Sequence, residues 1–424
     1  MSTKNYLIKN AIIIGDSDQS VKDILISEGI IKMIRPAIPV DANYEIIDAK
    51  GSFVSTGWFD MRCRLSDPGF EDREDLESGA MAAAAGGFTE IACLPDTLPI
   101  VASKSQVEYI HHQSANLLTR IYPLGAASLN LEGKELSEMY DMHRAGALGF
   151  SNADVPFADA GYLLRALMYV KSFGGLIFSH AEDTSLSTTG MVNESITTIA
   201  TGLKTAPRMA ESTAIQTQIE VAAYAKCHLH FSHVSTRESV ELIRMAKKRG
   251  ISITADVALM HLVFTDNVLE TFDSNFKIKP PLRSTLDRDA LIEAINDDTI
   301  DAIITDHSPL NKELKNLEFD YAAYGVTGFQ TFYPMFNQEL LGKIELEKFI
   351  EKITIGPRKI MGLPNPVIKE NEIANLVVFN PNTEWHLNDN SNYSKSVNSP
   401  YYNKKLKGKI LFTANQFKSY KSTF

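Results

Sequence analysis

Cysteine and tryptophan are scarce in this chain of 424 residues, with 3 and 2 copies respectively. Cys63, Cys93 and Cys227 are odd in number and far apart, which excludes a disulfide framework and a zinc-finger spacing. A reducing, cytoplasmic compartment is the expectation. No run approaches the roughly 18 uncharged apolar residues that a membrane span requires, and the opening Met-Ser-Thr-Lys-Asn-Tyr carries no apolar signal region. Positive charge is also in deficit: a net charge of -10 without any Lys/Arg block argues against a nucleic-acid surface. Small molecules or proteins are the expected partners.

The composition itself, 44% hydrophobic and 22% charged, is that of a globular protein. Eight apolar runs, at 59–65, 89–94, 121–127, 148–150, 176–179, 228–234, 251–255 and 302–305, alternate with stretches of helical composition such as 74–85, 161–173, 213–227, 238–248 and 288–295. Strands separated by helices call for a parallel sheet with helices outside it, and eight of them favour a closed (β/α)8 TIM-type barrel over an open sheet. Gly86-Gly87 supplies a helix stop before the second run. Short strand-like runs at 6–14, 23–34 and 44–47, and again at 374–379 and 406–412, are expected to pair into a small β-domain. Its segments are 1–55 and 365–424, leaving 56–364 to the barrel.

Reacting groups in such barrels stand at the C-terminal ends of the strands. The fifth run ends in Ser179-His180-Ala-Glu-Asp183, the sixth in Ser232-His233-Val-Ser235 and the eighth in Thr305-Asp306-His307. A lone histidine after an apolar run is more often structural, but two imidazoles and a carboxylate at one mouth suit a metal or proton-transfer site. Glu182, Asp183 and His307 beside them either orient these groups or supply ordinary loop polarity, and core or helix-facing roles are preferred for His228 and His230. The first run carries Arg62 and Arg64, two residues apart and so on one side of a strand, before Ser66-Asp-Pro-Gly69 turns the chain. Barrel geometry aims alternate residues of that strand at the centre; the alternative is an outward pair meeting Glu71 or Asp72.

These stretches resemble the dihydroorotases, amidohydrolases that interconvert carbamoyl-aspartate and dihydroorotate. Asp60, Asp67, Pro68 and Gly69 match that family's first-strand Asp-x-His-x-His-x-Arg-Asp-Pro-Gly, and Ala82-Ala-Ala-Ala-Gly-Gly-Phe88, His233-Val-Ser-Thr236, Pro280-Pro-Leu-Arg283 and Leu406-Lys-Gly-Lys409 are similar as well. The resemblance implies a barrel holding a binuclear zinc centre, with His180 and His233 as metal ligands and Asp306 as the metal-binding, proton-transferring aspartate. It also exposes departures. Arg62 and Arg64 stand where the family has its two first-strand metal histidines, and a guanidinium stays protonated and has no lone pair for zinc. Ser66 replaces the substrate-binding arginine, and Asp96 replaces a substrate-binding asparagine. Asn152 and Ala153 replace the acidic pair after the fourth strand, no lysine is present there for a carbamylated bridge, and Asp154, displaced by its position in sequence, is expected in a loop or cap role. Met260, Lys279, Leu310 and Gln330 depart too.

The expectation is a dihydroorotase-like protein of pyrimidine biosynthesis without dihydroorotase turnover, in which Arg62 or Arg64 replaces the metal charge and pairs with Asp306. No cofactor is expected. The resemblance implies a structural or regulatory role beside an aspartate transcarbamoylase-type partner, and a homodimer is the default assembly. The alternative is an active cyclic amidohydrolase of altered substrate, with one zinc on His180, His233 and Asp306. A fully competent dihydroorotase ranks last. Whether the loop 310–323 closes over the mouth or lies disordered is left open by the sequence.

Overall fold

The computed structural model describes residues 4–16 and 18–422; residues 1–3 and 423–424 of the expected terminal domain lie outside the described residues. The middle of the chain is a (β/α)8 barrel. Its strands are Trp58–Cys63, Phe88–Cys93, Arg120–Pro123 continued by Gly125–Ala126, Phe150–Ser151, Ile177–Ser179, Leu229–Phe231, Ile253–Ala258 and Ala302–Ile304. Each pairs in parallel with the next, and the ring closes where the Arg64 N–H donates to the His307 carbonyl at 2.8 Å. The first strand is buried at every residue, as expected when helices cover one side of a sheet and the barrel interior the other.

The flanking helices follow local chemistry. Arg237–Lys248 is capped by the Thr236 side chain, which accepts the Ser239 N–H, and it buries Val240, Ile243 and Ala246 at helical spacing. Leu76–Ala85 starts from an Asp75/Ser78 capping box and ends in a run of four alanines, Ala82 to Ala85. It stops at Gly86 and Gly87 because Gly87 has φ +94 and a Cβ there would lie 2.8 Å from the Trp58 ring.

The chain ends share one eight-stranded sheet, ordered Lys418–Lys421, Lys405–Asn415, Asn375–His386, Phe53–Thr56, Asn5–Ile13, Val21–Ser27 and Ile30–Arg35, with Tyr44–Asp48 also paired to Asn5–Ile13. Phe53–Thr56, which has no clear strand signal in the sequence, joins the two halves: it runs parallel to Asn5–Ile13 and antiparallel to Asn375–His386. Ile8, Ile24, Val54, Leu376, Val378 and Phe412 form the sheet's core. At the start of the barrel strands, Arg358 donates to Glu90 and to the Gly57 carbonyl, each at 2.8 Å, and the Tyr122 hydroxyl donates to Glu90 at 3.0 Å. This network fills the bottom of the barrel. Among the described residues no helix is long and apolar enough to cross a membrane.

Candidate functional site

The mouth of the barrel is organised by a ladder of alternating charges. Arg62, only 1% exposed, turns inward and donates from Nε to Asp306 at 3.0 Å and from Nη2 to Asp154. Arg64 donates from Nη2 to the other oxygen of Asp154 at 2.7 Å, from Nε to Asp96 at 2.7 Å and from Nη1 to the Ser308 hydroxyl at 3.2 Å. Neither arginine meets Glu71 or Asp72, whose carboxylates bond the Gly69 N–H and the Asn311 amide instead. Three carboxylates thus surround two guanidiniums, and Asp154 bridges the pair.

Asp154, expected in a loop or cap role, is the centre of this arrangement. The assumption that the strand continues fails because Ala153 adopts φ +53 and donates its N–H to Ser151 Oγ, while the Val155 N–H closes a turn onto the Asn152 carbonyl. That left-handed turn aims the Asp154 side chain back over the mouth. A signal was available: two cations aimed into a barrel need carboxylates, and Asp154 is the nearest acid to the end of the fourth strand. Ser66 at φ +62, His233 at φ +46 and Asp306 at φ +50 share the same strained region, so four non-glycine strand ends at the mouth are held in it.

Electrostatics divides these groups. Burial works to raise the Asp154 carboxyl, but Arg64 and Arg62 overcome it and hold Asp154 far below the usual carboxylate range. Burial raises Asp306, opposed by Arg62 and reinforced by the negative charge of Asp154. Of the two carboxylates, Asp306 therefore takes the first proton. Arg64, although half-buried, is held charged even more firmly than usual by Asp154 and Asp96. Asp60, beneath the site, is pushed up to about 8 by burial while accepting the Thr305 hydroxyl and N–H.

The two histidines lie on the far side of this ladder. The rings of His180 and His233 are 4.7 Å apart. His180 Nε2 is 3.4 Å from Glu182, which also accepts from Lys279 Nζ at 2.8 Å. His233 is fully buried, its Nδ1 is 3.9 Å from Asp306, and neither ring nitrogen has a hydrogen-bond partner. Burial, then Arg62, drives its pKa well down, so the ring is neutral. Asp183 caps the short helix Thr184–Ser187, and His307 stacks on Phe329 at 4.0 Å with Nε2 3.6 Å from Glu74. His228 shares the Thr254 hydroxyl with His230, which also meets Asp256 at 2.9 Å; the Asp256 carboxylate in turn accepts the His233 N–H. Asp256 thereby fixes the sixth strand end, a role its sequence context did not signal.

The binuclear zinc centre that the resemblance implies does not fit these residues. Its first-strand ligand positions are guanidiniums, Ala153 offers no donor, and Asp306 is bonded to Arg62. Among the described residues no group of three or more His, Cys, Asp or Glu is arranged to hold a metal ion.

A family model described as dihydro-orotase-like matches residues 51–239. The chain is 39% identical over 411 residues to a protein named dihydroorotase from Caldanaerobacter subterraneus, covering 96% of this chain and 95% of that one. It is 40% identical over 406 residues to another of that name from Caldicellulosiruptor saccharolyticus, covering 94% of each. Among solved structures, the L-hydantoinase of Arthrobacter aurescens superposes with a TM-score of 0.85 at 24% identity, over 98% of this chain and 95% of that one. The dihydropyrimidinase of Brevibacillus agri gives 0.80 at 22%, over 98% and 94%. These two superpositions concern the fold.

Proposed function

Starting from the premise that the chain belongs to the dihydroorotase family, we propose that it is a member without dihydroorotase turnover, retained in pyrimidine biosynthesis as a structural or regulatory protein. One observation carries the reading: the Arg62 guanidinium lies between Asp306 and Asp154 and neutralises carboxylates that a metal would otherwise have to neutralise. A buried carboxylate without a counter-charge is costly, and here the counter-charge is covalently built in. The substrate side agrees. Asp96, an anion paired to Arg64, and Ser66 provide no free cation for the carboxylate of dihydroorotate. The role that remains is a protein surface, with an aspartate transcarbamoylase-type enzyme as the proposed partner and a homodimer as the proposed assembly.

Protein expressed with added zinc and assayed in both directions, on dihydroorotate and on carbamoyl-aspartate, tests this. The expected result is no rate above the no-protein control; turnover in the ordinary enzymatic range of about 1 s⁻¹ or more defeats the reading. Co-purification with a transcarbamoylase supports the partner assignment, and a solitary protein under the same conditions removes it.

A second reading has one observation in its favour. Both ring nitrogens of His233 are buried and unpaired beside His180, and an unpaired buried polar atom asks for a partner. A single zinc on His180, His233 and Asp306, whose side chains would have to close on it from their present arrangement, would provide one and would supply a Lewis acid for hydrolysis of a different cyclic amide. Near one equivalent of zinc, lost in His180→Ala, would favour this reading over the first.

A further inference from the structure

We propose that a cavity between the segment 310–316 and the C-terminal segment 397–404, outside the catalytic locus, binds a small phosphate-bearing molecule. The cavity measures about 310 Å³, and its lining includes Lys312, Lys315, Lys404, Asp273, Asn398 and Tyr402. That volume lies near the lower end of small-ligand sites.

The lining carries more positive charge than it can balance. Its one carboxylate, Asp273, accepts the Asn275 N–H at 2.9 Å as a helix cap, and the Tyr402 hydroxyl is given to Asp389. None of the three lysines forms an ion pair among the described residues. Lys312 and Lys404 are exposed, so water can solvate them. Lys315 is buried, and its ammonium is held only by the carbonyls of Ala323 at 2.9 Å and Lys277 at 3.3 Å. The adjacent buried ammonium of Lys277 is likewise held by carbonyls, of Phe319 at 2.7 Å and Asp320 at 3.0 Å. Carbonyls satisfy the donors without cancelling the charge. The strain registers in Lys315, which burial and then Lys277 pull down to about 7.

On a chain of net charge -10, two exposed lysines and a third that is partly protonated near neutral pH, around one carboxylate, are a local exception that an anion would resolve. Phosphate suits it because the cations of the lining are lysines, with no bidentate arginine fork, and phosphate carries nearly two charges at neutral pH. Occupancy would also tie the two walls together. Asn398, on one wall, accepts the Leu310 N–H at 3.1 Å and donates to the carbonyls of Ser308 at 3.0 Å and Gly325 at 3.2 Å. A ligand here would therefore stiffen the loop that follows Asp306. The site goes beyond the proposed function and does not depend on it.

The test is calorimetric titration of the full chain with inorganic phosphate, pyrophosphate and succinate at constant ionic strength, which needs no turnover. The expected result is saturable binding of phosphate or pyrophosphate, tighter than succinate, and weakened about tenfold or more in Lys312→Gln/Lys404→Gln. Both positions are exposed, so this variant should fold, and Lys343→Gln serves as the control lysine. No saturable binding, equal binding by the double variant, or a preference for succinate would each overturn the assignment. Turnover of dihydroorotate by the same preparation would defeat the proposed function and leave this result standing.

Discussion

Replacing Arg62 by Met keeps an unbranched stem and removes the charged guanidinium, which isolates that group's part in holding the mouth together. Arg62 is 1% exposed and serves two carboxylates, whose side chains are 13% exposed at Asp306 and 27% at Asp154. Removing one partner of a buried ion pair costs roughly 3–5 kcal/mol. Arg64 still holds Asp154 at 2.7 Å, and Asp154 keeps some solvent contact, so the lower end applies: about 3 kcal/mol near neutral pH. The dependence on pH has a definite sign. Folded Asp306 binds its proton more tightly than an unfolded aspartate, so its contribution is full below the ordinary value of about 4 and is lost as pH rises through the raised folded value. Without Arg62 that value rises further. The deficit of Arg62→Met should therefore be largest near pH 8 and shrink toward pH 5, while Asp154, held low, stays ionised throughout. Urea denaturation of both proteins at several pH values measures this, provided the m-values agree. A loss below about 1 kcal/mol, typical of an exposed pair, or a deficit that does not change with pH, would refute the claim that the guanidinium compensates buried charge.

Asp60→Asn should gain on the native protein as pH rises from about 4 to about 8, because burial raises the native carboxyl to about 8 and its stabilising contribution is lost across that window; the difference should level off above 8, read by the same denaturation series. Asp154→Asn should instead be destabilising at every pH above about 4, by roughly 2–4 kcal/mol, since it strands two guanidiniums on a neutral amide; equal stability would show that Asp96 and Asp306 suffice. Restoring imidazoles with Arg62→His/Arg64→His should raise bound zinc to at least about one equivalent by elemental analysis. The double variant should still fail to hydrolyse dihydroorotate, because Ser66 and Asp96 remain at the substrate positions; recovery of activity would mean that the metal ligands alone had been lost.

The barrel was legible because its signals are local and repeated: apolar runs broken by helical stretches, and polar residues at the run ends. Strand lengths were less so, since Phe150–Ser151 and Leu229–Phe231 are short and their ends are set by neighbours in the ring. Phe53–Thr56 was missed because a four-residue strand lying between two others takes its identity from pairing and not from its own pattern. At the site, the inward aim of Arg62 and Arg64 could be read from the alternation along the first strand. Their bridging partner was signalled only by its charge and its nearness to the fourth strand end; the left-handed turn at Ala153 through which Asp154 reaches them is one that no residue preference announces. The Asp256 contacts to His230 and His233 depend on the register between the sixth and seventh strands, which a single sequence does not reveal.

The central claim is that permanently charged side chains fill the room and supply the charge of a metal centre. Anomalous scattering at the zinc edge, from crystals grown with excess zinc, tests it most directly. The account expects continuous side-chain density for Arg62 between Asp154 and Asp306, with no anomalous peak among Arg62, Arg64, His180, His233 and Asp306. Two strong peaks there, with the guanidiniums displaced, would contradict it.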